Sequence, residues 1–227
     1  RYSLLSAALV GFFWAMFEAL RLTSTLNTAA IFSLIPGMTA VLSFTFLRER
    51  LSGAALVALL VGLVGAVWVI FRGSPSAFLS MDLGRGDLIF FAGSVSLAVY
   101  GTLVKVLHRG EPMARMTLWT LLTGTVWLLI LATPRFGTVE WSAVPTTVYL
   151  GVAYLAVFTT IVTFFAVQWS TAVIGPTKVM AYSYLNPSLV LLIGLLLGTE
   201  SPPMITYPGI ALTVAATFVL QRSSSAR

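Results

Sequence analysis

The chain has 227 residues, 58% of them hydrophobic and 9% charged, with a formal net charge of +6. A soluble domain carries about a quarter charged residues, and one this apolar would expose patches that water does not tolerate, so the composition reads as that of a bilayer protein. The absence of cysteine excludes disulfides and thiolate metal sites, and the single histidine, His108, excludes a histidine metal cluster.

Eight apolar runs follow one another, each near the 20 residues that a helix needs to cross a bilayer. Barrel strands would be about ten residues long and alternating; these runs are continuous, so the chain reads as all-α and polytopic. The first covers 3–22 and carries Trp14 and Glu18. It is too long and too aromatic for the core of a cleavable signal peptide. The second covers 27–47, with Pro36 early in it and Arg48-Glu49-Arg50 at its end. The third covers 53–72, where Gly62 and Gly65 predict close helix packing. A joint of Gly, Pro, Ser and charged residues over 73–86 is the one candidate linker. Gly84-x-Gly86 within it lacks the strand and third glycine of a dinucleotide fingerprint. The fourth run, 87–107, contains Tyr100 and ends near Lys105; the fifth covers 115–133 after His108-Arg109-Gly110-Glu111-Pro112. The sixth, 145–170, holds Gln168 and Trp169. The seventh, 176–198, starts near Lys178 and contains Tyr182-Ser183-Tyr184-Leu185-Asn186 before Pro187; the eighth covers 204–221, after Ser201-Pro202-Pro203.

The second and seventh runs match each other. Pro36 precedes Glu49 by the same spacing as Pro187 precedes Glu200, and one ungapped offset of 151 relates both pairs; it also sets Phe13 on Phe164 and Ser33 on Tyr184. The stretch from about 6 to 71 therefore repeats at about 157 to 222. Five helices separate corresponding positions, an odd number, so the copies are expected in opposite orientation. Inverted repeats are the architecture of many secondary transporters.

ALRLTSTLNTAAIFSLIPGMTAVLSFTFLRERLS resembles the third and fourth helices of EamA-type transporters of the drug/metabolite transporter superfamily. GRGDLIFFAGSVSLAVYGTLVKVL is similar to the helix that opens that family's second repeat. The resemblance implies two inverted five-helix repeats around a central cavity. Here the first repeat would be truncated to three helices over 1–72, followed by a linker over 73–86 and five helices over 87–227. The chain begins where the family's third helix starts, and a first residue other than Met accords with a piece of a longer protein. The resemblance also implies that Glu49 and Glu200 anchor their helices structurally.

Charge inside a bilayer costs about 2.5 to 3.5 kcal/mol at a helix centre, which makes embedded ionisable residues functional candidates. Glu18 is the acidic residue within an apolar run; it would bind an amine or carry a proton, or else pair with Arg21 one turn on. Lys105 and Lys178 are expected to snorkel to the interface. Pro36 and Pro187 are expected to kink their helices and free carbonyls toward a cavity. Tyr182 and Asn186, four apart, share one face of an α-helix. With Tyr184, Gln168 and Trp169, and with Trp14 and Tyr100, they form the candidate solute cavity, the alternative being helix–helix hydrogen bonds and interface belts.

No nucleophile–base pair, phosphate loop or metal set is present in the sequence, and no cofactor is implied. Scattered basic residues speak against nucleic acid. The sequence thus predicts a secondary transporter of small polar organic metabolites, amino acids or related compounds, acting in efflux by alternating access with the lipid bilayer as its other partner. A scaffold or assembly subunit and an intramembrane enzyme are the alternatives, and homo-oligomers are compatible with it. Nine Lys and Arg fall on the side of the termini against four on the other, which predicts both termini in the cytoplasm and insertion in the cell's plasma (inner) membrane.

Overall fold

Each apolar run becomes a helix because lipid offers backbone amides no partner outside the segment itself. The computed structural model describes residues 1–138, 140–198 and 203–223. Glu200, Ser201 and Pro202 of the sequence analysis, and Arg227 among the nine basic residues counted there, lie outside the described residues. Among the described residues eight helices are long and apolar enough to cross a membrane: α1 (Tyr2–Ala19), α2 (Thr25–Leu47), α3 (Gly53–Ile70), α4 (Arg85–Leu107), α5 (Met113–Phe136), α6 (Thr146–Ile174), α7 (Pro176–Leu196) and α8 (Met204–Arg222). They fall on the eight predicted runs to within a few residues. The protein is an all-helical, multi-pass membrane protein.

Local chemistry sets the ends. Ser24 and Ser52 cap α2 and α3 by accepting from the amides of Asn27 and Ala55 at 3.1 and 3.2 Å. Asp87 caps α4 by accepting from the Gly84 amide at 2.7 Å. Between α3 and α4 lies a short turn of helix, Pro75–Leu79, capped by Ser74.

Small residues set the packing. The most extensive contact is between α3 and α8. A methyl group at Gly65 would lie 2.9 Å from the Gly209 carbonyl, and one at Gly62 would lie 2.5 Å from the Tyr184 ring. The two glycines therefore serve the close packing read from the sequence. α1 lies against α4 and α5. There Ala15 fills the space left by Gly93, and Ser96 donates to the Ala8 carbonyl at 2.7 Å. By contrast α6 buries no residue over its most apolar stretch. It includes a π-helical turn, Leu155–Val162, and meets α4 and α5 chiefly through its C-terminal half.

The two prolines differ from the sequence expectation. α2 does not kink through Pro36. It breaks at Ser33-Leu34 and restarts as Ile35–Leu47, with Pro36 in the first turn of the new segment. α7 breaks into a 3₁₀ turn, Tyr182–Leu185, and restarts as Asn186–Leu196 with Pro187 in the same place. In a first turn proline removes an amide that would have no partner anyway. The residues before the two restarts, Leu34 and Leu185, share φ −79° and ψ −17°. The breaks thus stand at the spacing of 151 seen in the sequence.

Candidate functional site

Both breaks meet one cavity of about 560 Å³. α2 contributes Thr25, Leu26, Thr28, Ala29, Phe32 and Ser33; α7 contributes Ser183, Asn186, Pro187, Val190 and Leu191. Met16 and Leu20 of α1, Phe90 of α4 and Val69, Ile70 and Arg72 at the end of α3 complete the wall. The cavity runs from the breaks to the end of the bundle that carries Leu20, Thr25 and Arg72. Beyond the breaks, toward the opposite end, Ile35, Ala98 and Met180 form a buried cluster, with Phe32 of the cavity wall packed against it.

The wall is mostly apolar, with Asn186 exposed to the cavity and the Ser33 hydroxyl turned back onto the Ala30 carbonyl at 2.6 Å. The Ser183 hydroxyl is buried in the wall and has no hydrogen-bond partner among the described residues. In an α-helix Tyr182 and Asn186 would share a face, but the 3₁₀ turn has three residues per turn, so residues three apart eclipse. Ser183 and Asn186 accordingly line the cavity together, whereas Tyr182 is turned away and 48% exposed.

The other candidates lie elsewhere. Gln168 is fully buried between helices: it accepts from the Thr117 hydroxyl at 2.6 Å and donates to Thr120 Oγ1 at 3.3 Å, tying α6 to α5. Tyr100 packs edge-on against Phe164 in a buried cluster with Leu5, Leu9 and Met116. Tyr184 is buried against Ala58, Leu59 and Leu220. Trp14 and Trp169 are both about half exposed and off the cavity wall. Glu18 is also off the wall; its carboxylate lies 3.7 Å from Arg21 Nη1, in the paired arrangement one turn apart.

Lys178 does not snorkel. Its ammonium donates to the carbonyls of Gln221 and Ser223 at 3.3 and 2.6 Å, while Gln221 returns a bond to the Lys178 carbonyl at 3.0 Å. The last carbonyls of α8 lack partners within the helix, so a cation there satisfies them. Lys105 approaches Gly175, beside the Glu49 carboxylate: its ammonium lies 3.7 Å from the position a Gly175 side chain would take.

The arrangement is a cavity on two broken helices of matching backbone. A family model described as the EamA-like transporter family matches residues 2–71 and 84–222. The chain belongs to the EamA-like transporter family. Among curated relatives, this EamA-like chain is 29% identical over 192 residues to a Bacillus subtilis (strain 168) protein named uncharacterized transporter YyaM, covering 83% of this chain and 62% of that protein. It is 25% identical over 209 residues to a probable terminal-alkyne amino-acid exporter of Streptantibioticus cattleyicolor, covering 88% and 65%. The chain thus spans less than two thirds of the length of these relatives. One solved crystal structure shares the fold with a TM-score of 0.77 over 96% of this chain and 74% of that chain, at 23% identity.

Sequence reading missed Arg72, Ser183 and Asp87 in this EamA-like bundle. Asp87, 4% exposed, accepts from the Thr23 hydroxyl as well as the Gly84 amide, so it ties the α1–α2 turn to the start of α4. The spacing Gly84-x-x-Asp87 was its signal, as a helix-start box. For Ser183 the signal was a polar pair three apart ahead of a proline.

Proposed function

We propose that the protein moves a small, partly apolar organic solute across the membrane by alternating access, with the α2–α7 cavity as its site. The observation that carries this reading is the cavity itself, walled by both helix breaks, with the buried cluster of Ile35, Ala98 and Met180 beyond them. Broken helices place irregular backbone at membrane depth only where it lines a cavity. In a second state that cluster would part and the opposite end close. A pivot at the breaks serves that motion, because each restart is already a helix end.

The matching breaks also support two repeats, 1–72 and 87–227, of opposite orientation and joined by 73–86. The excess of basic residues at the ends near Arg1 and Arg222 supports cytoplasmic termini in the cell's plasma (inner) membrane. Solutes of the amino-acid class and the direction of efflux are supported by the printed name of the Streptantibioticus relative.

The test is uptake and efflux in vesicles holding the full-length protein, with a panel of radiolabelled metabolites. Asn186→Leu keeps the helix while removing the exposed polar group of the cavity, and it should abolish transport at unchanged expression. Normal transport by that variant would refute the cavity as the site. Orientation is read with a cysteine at Ser224 in this cysteine-free chain. An impermeant reagent added outside intact cells should leave it unlabelled, and labelling would reverse the assignment.

A further inference from the structure

We infer that a second cavity, shut in this structure, opens between the end of α6, the start of α7 and the C-terminal half of α2, and that Thr39, Thr171 and Thr177 line it. This rests on the alternating-access reading and on two repeats of opposite orientation. Two copies of one fold can exchange their arrangements, and when the copies are inverted the exchange moves the opening to the other side. The offset of 151 therefore carries the wall of the present cavity onto the wall of the second one. Leu20, Leu26 and Val190 line the present cavity. The offset takes them to Thr171, Thr177 and Thr39. None of the three threonines lies on the present wall, and each is at most 1% exposed. They stand toward the end of the bundle where the Gly175 joint meets Glu49 and Lys105. Ile35 and Met180, which separate them from the cavity along α2 and α7, are in turn the images of Asn186 and Ala29 on its wall.

The hydroxyls carry a second, independent observation. Those of Thr39, Thr171 and Thr177 are buried without a hydrogen-bond partner among the described residues. Helical threonines elsewhere, such as Thr120 and Thr217, turn theirs onto the carbonyl four residues back at 2.7 and 2.8 Å. A buried hydroxyl left unpaired loses its hydration and gains nothing in return. Packing does not call for it, since the other copy fills each of the three places with Leu or Val. Water in a second, open state gives all three hydroxyls a partner. A tie at the same end holds that state off. Lys178 donates to the carbonyls of Gln221 and Ser223, and Gln221, the image of Ile70 on the present cavity wall, returns a bond to the Lys178 carbonyl. At the present cavity the residue in the place of Lys178 is Asn27, which donates to the Asp82 carbonyl in the joint between the repeats at 3.0 Å.

The test uses the full-length protein in detergent micelles, with Thr39→Cys, Thr177→Cys or Thr217→Cys as its single cysteine, and reads the rate of labelling by a charged, water-soluble maleimide. Thr217 is the control: it is 5% exposed, its hydroxyl is satisfied, and its image, Ala66, is buried off the cavity wall. Thr39→Cys and Thr177→Cys should label at least about tenfold faster than Thr217→Cys, because a local opening exposes them at less cost than unfolding. Lys178→Met, which keeps the apolar stem and removes the donors, should raise both rates and leave that of Thr217→Cys unchanged. Gln221→Leu, which removes only the returning bond, should act in the same direction. Equal rates at the three positions, or rates that Lys178→Met raises at all three alike, would overturn the second cavity; rates that neither Lys178→Met nor Gln221→Leu raises would overturn the tie. Transport in vesicles separates this failure from that of the reading beneath it. If Asn186→Leu abolishes transport while Thr39→Cys and Thr177→Cys label no faster than the control, the α2–α7 cavity is the site and the second cavity is wrong. If Asn186→Leu transports normally, the α2–α7 cavity is not the site and the inference falls with it.

Discussion

Replacing Gly65 with alanine tests the packing that holds the bundle together. The new Cβ would lie 2.9 Å from the Gly209 carbonyl oxygen, 2.9 Å from Leu212 Cβ and 3.0 Å from the Thr213 amide nitrogen. Carbon atoms pack best at about 3.5–4.0 Å, so α3 and α8 must separate by roughly 0.6–1 Å. Two of the three obstacles are backbone atoms that no rotamer change can move. Overpacking of this kind costs about 1–3 kcal/mol. Gly→Ala in a helix returns roughly 0.5–1 kcal/mol by restricting the unfolded chain, which leaves a net loss of about 0–2.5 kcal/mol. Two controls isolate the effect. A methyl group at Gly37 meets nothing within 4 Å, so Gly37→Ala should stabilise by roughly 0.5–1 kcal/mol. At Gly101 the obstacle is the Met180 Cε at 2.8 Å, the mobile tip of a flexible side chain, so Gly101→Ala should be close to neutral. The assay is titration of purified protein in mixed micelles with SDS, followed by helical circular dichroism. Equal midpoints for Gly65→Ala and Gly37→Ala would refute the contact between α3 and α8 as described.

Three further outcomes follow from named contacts. Asp87→Ala strands the Thr23 hydroxyl and the Gly84 amide, and should lower stability by about 1.5–3 kcal/mol in the same titration; an unchanged midpoint would show that the α1–α2 turn is held by other means. Burial pulls the Glu111 carboxyl up, but hydrogen bonds from its own amide, the Arg109 amide and the Tyr2 hydroxyl, with the charge of Arg1, hold it below the ordinary carboxylate value. A lowered folded-state pKa stabilises above the unfolded value of about 4.3 and is lost as pH falls through the folded one, so the melting temperature should drop in acid and Glu111→Gln should flatten that drop. An identical acid profile in the variant would remove Glu111 as its cause. Glu18→Gln breaks a partly exposed pair worth about 0–1 kcal/mol; any pH dependence of transport should survive it, and its disappearance would restore Glu18 as a proton carrier.

What the sequence determined by itself was one-dimensional. Lipid demands long, self-satisfied apolar runs, so eight helices and their joints were legible, as was the spacing of 151 that relates Pro36 to Pro187. The small residues at Gly62 and Gly65 announced close packing without naming the partner. Side-chain direction was not legible. Whether Tyr182 or Ser183 accompanies Asn186 depends on the local helical period, and a single 3₁₀ turn exchanges them. Gln168 and Lys178 are polar on any reading, but Thr117 and the end of α8, about 50 residues away in either direction, decide that both join helices instead of meeting solute or water. Arg72 lines the cavity only because the fold brings the end of α3 to the wall between α2 and α7. The physical reason is the same in each case: a bilayer selects hydrophobicity segment by segment, whereas a cavity is selected by which segments become neighbours.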